Sequence, residues 1–124
     1  MMQKKGSLIK SFGYAFQGIF TSLAKERNLK IHFAIAILVV IFGFLLKIAL
    51  WEWIVCLILF GLVISLELAN TAIEEVVDLA SPKWHEKAKR AKDAAAGAVL
   101  FSALISAVIG IIIFAPKLFL IFNI

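Results

Sequence analysis

The stretch SLELANTAIEEVVD, residues 65–78, sets Glu67, Asn70, Glu74, Glu75 and Asp78 in direct continuation of an apolar run. Wound as a helix with Glu67 at the origin, Asn70 falls at about −60°, Glu74 at about −20°, Asp78 at about +20° and Thr71 at about +40°. These polar groups share one face roughly 100° wide and roughly 16 Å long, with Glu75 on its edge. Asn and Thr on a buried helix face are explained by hydrogen bonding between helices. Two carboxylates, Glu67 and Glu74, are more than such packing requires, and an ionisable group inside a bilayer is a functional candidate by default. Carboxylates hold Mg²⁺ through one or two direct ligands, with phosphates completing its shell. A carboxylate sunk below a surface can accept a proton from a hydroxyl.

A second cluster is basic. The segment KWHEKAKRAKDAAAGAVL, residues 83–100, holds Lys83, His85, Lys87, Lys89, Arg90 and Lys92 before a run of small residues. Such a rim attracts polyanions. Contact with anionic lipid accounts equally for Lys87, Lys89 and Arg90, and less well for Lys92-Asp93, where the helix enters the membrane. The run 94–98 of Ala and Gly lets another helix or a substrate approach the backbone. Glu26, among Lys25, Arg27 and Lys30, is accounted for by an i,i+4 pair with Lys30 on spacing alone.

The elements that carry these residues follow from composition and pattern. The chain of 124 residues is 63% hydrophobic with mean hydropathy +1.02, more apolar surface than one soluble domain of that length can hide. A single membrane-embedded domain, 1–124, is expected. Three apolar segments read as membrane helices over residues 30–50, 51–80 and 82–115. The second is longer than a span needs and should protrude. Ser81 suits an N-cap and Pro82 the first turn of the third helix. Residues 7–25 place Leu8, Phe12, Phe16, Ile19 and Leu23 at three- and four-residue steps, with Lys10, Ser11, Gln17, Thr21 and Ser22 largely opposite. That is an amphipathic helix suited to the membrane surface, or to packing on the end of the bundle. The single Cys56 excludes an intrachain disulfide, and no signal-peptide pattern opens the chain. Lys and Arg crowd the N-terminal region and the second connection, which puts both inside and the C-terminus outside. The outer half of each span reads as nearly uncharged, apart from Lys47.

Acidic groups and a basic rim facing one membrane surface suit phosphoryl transfer from Mg-ATP to a lipid. The usual nucleotide loops are missing: GYAFQGIF has glycines at Gly13 and Gly18 but Ile19-Phe20 where a phosphate loop needs Lys and Ser or Thr. A small proton-coupled transporter and an assembly protein with no chemistry are the competing classes, although a transporter's ionisable groups should extend through both halves of the membrane. The motifs ELANTAIEEVVD (67–78) and AKDAAAGAVL (91–100), with ERN (26–28) and the basic linker, resemble the small prokaryotic diacylglycerol kinase family, most of all its undecaprenol kinase branch. The resemblance covers residues 7–117. It implies an all-α homotrimer in the bacterial inner membrane, with three spans and one surface helix per subunit and active sites shared between subunits. It implies Glu67 as catalytic base and Glu26 and Glu74 as ligands of the Mg²⁺ that accompanies ATP. Tyr14, Lys83, Trp84, His85, Lys92 and Asp93 match nucleotide-contact positions, and Asn70 and Asp78 polar positions of the site. The implied partners are a lipid alcohol (undecaprenol, or diacylglycerol as the alternative), ATP and membrane lipid, with no nucleic acid.

Overall fold

The computed structural model describes residues 7–123, whose regular structure is entirely helical. Four helices follow in order: α1 (Leu8–Lys25), α2 (Arg27–Leu45), α3 (Leu50–Ala80) and α4 (Glu86–Phe122). α2, α3 and α4 are each long and apolar enough to cross a membrane. α3 is the central element, packing most extensively on α4 and then on α2, while α1 touches α2 and α3.

Ser7 starts α1 by accepting the Lys10 N–H on its hydroxyl at 3.2 Å, which satisfies one of the free donors of the first turn. Glu26 alone separates α1 from α2, with extended backbone at φ −95° and ψ 119°. Its N–H donates to the Ser22 carbonyl at 2.8 Å and its carbonyl accepts from Lys30 at 3.3 Å. One residue therefore closes a helix and opens the next, and its carboxylate stands at the corner between them.

The first span ends earlier than its hydropathy suggests, at Leu45 rather than 50. Lys47 adopts φ 54°, the left-handed conformation that usually selects glycine. Ile48 N–H reaches back to the Gly43 carbonyl at 3.1 Å and Lys47 N–H to Phe44 at 3.3 Å, the two bonds of a Schellman cap. Gly43 is needed here for space. A Cβ at this position would stand 2.6 Å from Trp53 Cη2, so its absence lets α3 close against α2, with Phe44 packed on Trp53 at 4.8 Å between ring centroids. α3 then begins with Glu52 reaching back to accept the Ala49 N–H at 2.8 Å, one half of a capping box.

The expected start of the last helix at residue 82 is overturned. Ser81 closes α3, donating its hydroxyl to the Lys83 carbonyl at 2.8 Å, and Pro82 lies in the connection. His85 is the N-cap of α4, accepting the Lys87 N–H on Nδ1 at 3.0 Å. The expected end at residue 115 is overturned as well, since α4 runs through Pro116 to Phe122. Proline removes one backbone donor, but the Lys117 ammonium forms an ion pair with Glu52 at 2.9 Å that ties the last turns of α4 to the start of α3.

The core is thin. Leu29, at 1% exposure, is the most enclosed large side chain, with Ile48, Val63, Ile64, Val99 and Ile113 also buried. Only 11% of the apolar stretches of α2 and α3 and 17% of that of α4 are buried within the chain. Lipid or further protein must cover the rest.

Candidate active site

The polar face lies on the half of α3 nearest α4's start. Glu67 is enclosed at 3% exposure, buried among apolar helices. His32 of α2 approaches it, with Nε2 3.2 Å from Oε1. Thr71 donates its hydroxyl to the Glu67 carbonyl at 3.1 Å, a local back-bond that occupies this hydroxyl within the helix. Asn70 Oδ1 is fully enclosed and has no hydrogen-bond partner among the described residues. A buried acceptor left unpaired costs about 1–3 kcal/mol.

Glu26 and Glu74 are half-buried. Among the described residues neither carboxylate has an ion-pair partner, and no Glu26–Lys30 pair forms. No group of three potential metal ligands occurs among the described residues. This donor set does not suit an all-protein cage. It fits a Mg²⁺ held by one or two carboxylates and completed by substrate phosphates.

Further along α3, Asp78 pairs with Lys92 of α4. Lys89 pairs with Asp93 one turn on, at 2.7 Å. The adjacent Lys92 and Asp93 are thus engaged with different partners. The first two turns of α4 hold Glu86, Lys87, Lys89, Arg90, Lys92 and Asp93, a charge density that keeps them out of hydrocarbon. There the hydrogen bond that Lys92 donates to Asp78 holds its ammonium above the ordinary pKa, and donation to Asp93 does the same for Lys89.

The remaining expected site residues lie in the α3–α4 connection and on α1. Lys83, Trp84 and His85 are exposed in the α3–α4 connection, and His85 spends Nδ1 on capping α4. Tyr14 lines a cleft of about 580 Å³ between α1 and α3, with Gln17, Thr21, Ser22, Thr71 and Glu75. The helix thus brings Glu67, Asn70, Glu74 and Asp78 together, and α4 adds Lys92 at the mouth. Two buried contacts went unread in the sequence. One is His32 beside Glu67, a lone polar side chain in NLKIHFAIA. The other is the Glu52–Lys117 pair at the far end of α3, which corrects the expectation that Lys47 is the charge of note in the outer half.

A sequence model of the prokaryotic diacylglycerol kinase family matches residues 13–114. The chain belongs to that family. It is 51% identical over 109 residues to the undecaprenol kinase of Bacillus subtilis (strain 168), covering 88% of this chain and 89% of the relative. It is 40% identical over 113 residues to a diacylglycerol kinase of Synechocystis, covering 90% of this chain and 65% of that one. To the diacylglycerol kinase of Escherichia coli (strain K12) it is 28% identical over 101 residues, covering 82% and 83%. The family's matched region takes in α2, α3 and most of α4, hence the whole carboxylate line.

Proposed function

We propose that the chain, a lipid kinase, transfers the γ-phosphoryl group of ATP to the hydroxyl of a membrane lipid alcohol, with undecaprenol as the preferred acceptor. The observation that carries the chemistry is Glu67, a carboxylate 3% exposed within an apolar helix, at the buried end of a line that runs through Glu74 to the charged mouth. The 51% identity to a protein named undecaprenol kinase over 88% of the chain supports the choice of lipid.

In this reading Glu67 takes the proton of the lipid hydroxyl as its oxygen bonds to the γ-phosphorus. ADP leaves, and the proton passes from Glu67 to solvent. Glu26 and Glu74 hold Mg²⁺, which when bound neutralises charge on the phosphates. Lys92, Asp93, Tyr14, Asn70, Asp78 and the turn Lys83-Trp84-His85 contact the nucleotide or frame its site. The unpartnered Asn70 Oδ1 supports that assignment. So does the exposure of the Lys83–His85 turn. α1 lies on the inner membrane surface: it has no buried residue, and Phe12, Phe16 and Phe20 are exposed. The N-terminus is cytoplasmic and the C-terminus extracytoplasmic. Three copies assemble and share sites, which supplies protein cover for the bare apolar helices.

Diacylglycerol is the second reading for the acceptor, since two relatives carry that name at 40% and 28% identity. A proton-coupled transporter fares worse. The charges of the outer end, Glu52 and Lys117, are locked to each other and offer no pathway. Purified protein given labelled ATP, Mg²⁺ and each lipid alcohol in detergent should place label in undecaprenyl phosphate in preference to phosphatidic acid. Preferential labelling of diacylglycerol would reassign the substrate, and no labelled lipid would remove the kinase reading.

A further inference from the structure

His32 has no part in the reaction described so far, although it is the side chain at ion-pair distance from Glu67. We infer that His32 is a positioning residue for the general base: its imidazole fixes the Glu67 carboxylate through Oε1 and leaves Oε2 for the lipid hydroxyl. The inference rests on the reading of Glu67 as that base.

Three observations carry it. The contact is buried on the Glu67 side and half-buried on the His32 side, with side-chain exposures of 4% and 19%, and Nε2 lies 3.2 Å from Oε1. Among the described residues no side chain hydrogen-bonds to this carboxylate, and His32 is the one side chain at ion-pair distance from it. Without His32 the carboxylate would be free to rotate in an apolar enclosure. The helix that delivers His32 is also held rigidly at this level. Leu29, one turn before it, is the most enclosed large side chain. Phe33, next to it, stacks edge-on against Phe60 of α3, with centroids 5.3 Å apart and planes at 86°. A functional group is well placed when the groups behind it are locked by packing, and here the packing of α2 on α3 sets the ring. His32 Nε2 stands at ion-pair distance from Oε1 without the alignment of a hydrogen bond, as in other resting sites whose contacts tighten when substrate arrives.

His32 also lines the broad apolar groove of about 840 Å³ that α2, α3 and α4 form above it, through Phe33, Val40, Phe60 and Phe114. The imidazole therefore stands where this hydrocarbon surface meets the carboxylate. The charged ring donates from Nε2, and the neutral ring does so in its Nε2–H tautomer.

The test is a cycle of variants in the full-length protein in detergent, with kcat and the KM for Mg-ATP measured for each. His32→Ala should lower kcat by about 10- to 100-fold, the scale of a small misplacement of a reacting group, with the KM for Mg-ATP unchanged. His32→Gln, which returns an N–H near the same place, should recover most of that loss. Adding His32→Ala to Glu67→Gln should cost nothing further, because a residue that acts only through Glu67 has nothing left to act on. Parental kcat in His32→Ala overturns the inference. So does a further fall of His32→Ala/Glu67→Gln below Glu67→Gln, or a His32→Gln no better than His32→Ala. Parental turnover in Glu67→Gln alone marks the separate failure of the base assignment, and removes the inference with it.

Discussion

Removing Lys117 should destabilise the fold far from the site, and restoring charge balance should bring stability back. Glu52 is enclosed, with 9% of its side chain exposed, and Lys117 has 27% exposed. The two Glu52 oxygens divide their partners: Oε1 takes the Ala49 N–H at 2.8 Å and Oε2 the Lys117 ammonium at 2.9 Å. Lys117→Met keeps the length of the side chain and strands the carboxylate with one oxygen unpaired. Breaking a buried pair in this way costs about 3–5 kcal/mol, and the partial exposure of Lys117 places this one at the low end, about 3 kcal/mol. At about 1.4 kcal/mol per tenfold, that is a shift of roughly a hundredfold in the folded-to-unfolded ratio. Glu52→Gln/Lys117→Met removes both charges and keeps an acceptor for Ala49, so it should be more stable than Lys117→Met alone. Reversible unfolding by SDS titration in mixed micelles reads the effect, and Trp51 and Trp53, on either side of Glu52, report it by fluorescence. Lys117→Met within about 0.5 kcal/mol of the parent, or a double variant weaker than the single one, would refute the reasoning.

Glu74→Gln and Glu26→Gln should each lower turnover by about 10²-fold or more, the scale of losing one electrostatic contributor to the transition state. Each should also move the Mg²⁺ requirement to higher concentration; normal metal dependence in either removes that residue from metal binding. Gly43→Ala puts a Cβ 2.6 Å from the Trp53 ring, and should lower stability by about 1–3 kcal/mol in the same unfolding assay. A reporter fused after Ile124 should be extracytoplasmic and one at Lys87 cytoplasmic; finding both on one side contradicts the proposed topology.

The carboxylate line was legible because it is local. Glu67, Asn70, Glu74 and Asp78 lie on one helix, so the period of the helix alone sets their common face. The long α3 was legible for the same reason. The turn after α2 was misread because Lys47 occupies a left-handed position where glycine would have marked it. Ser81-Pro82 carries the residue types of a helix start, yet the Ser81 hydroxyl goes to Lys83 and His85 makes the cap. The last helix was expected to end at residue 115, yet α4 passes through Pro116 with Lys117 anchored on α3. His32–Glu67 and Glu52–Lys117 each join two helices, and no period within one helix shows such a contact. Glu26 reads by spacing as half of a pair with Lys30. Its extended backbone between two helices leaves that pair unformed.

The most direct measurement of the central claim is paired, on purified Glu67→Gln. The substitution keeps the shape of the side chain and removes the base. Lipid-kinase turnover should fall by about 10²–10⁴-fold, the range for positioned proton transfer, while Mg-ATP binds with parental affinity. Near-parental turnover would contradict the account by removing Glu67 from the chemistry, and lost Mg-ATP binding would make it a ligand of metal or nucleotide instead.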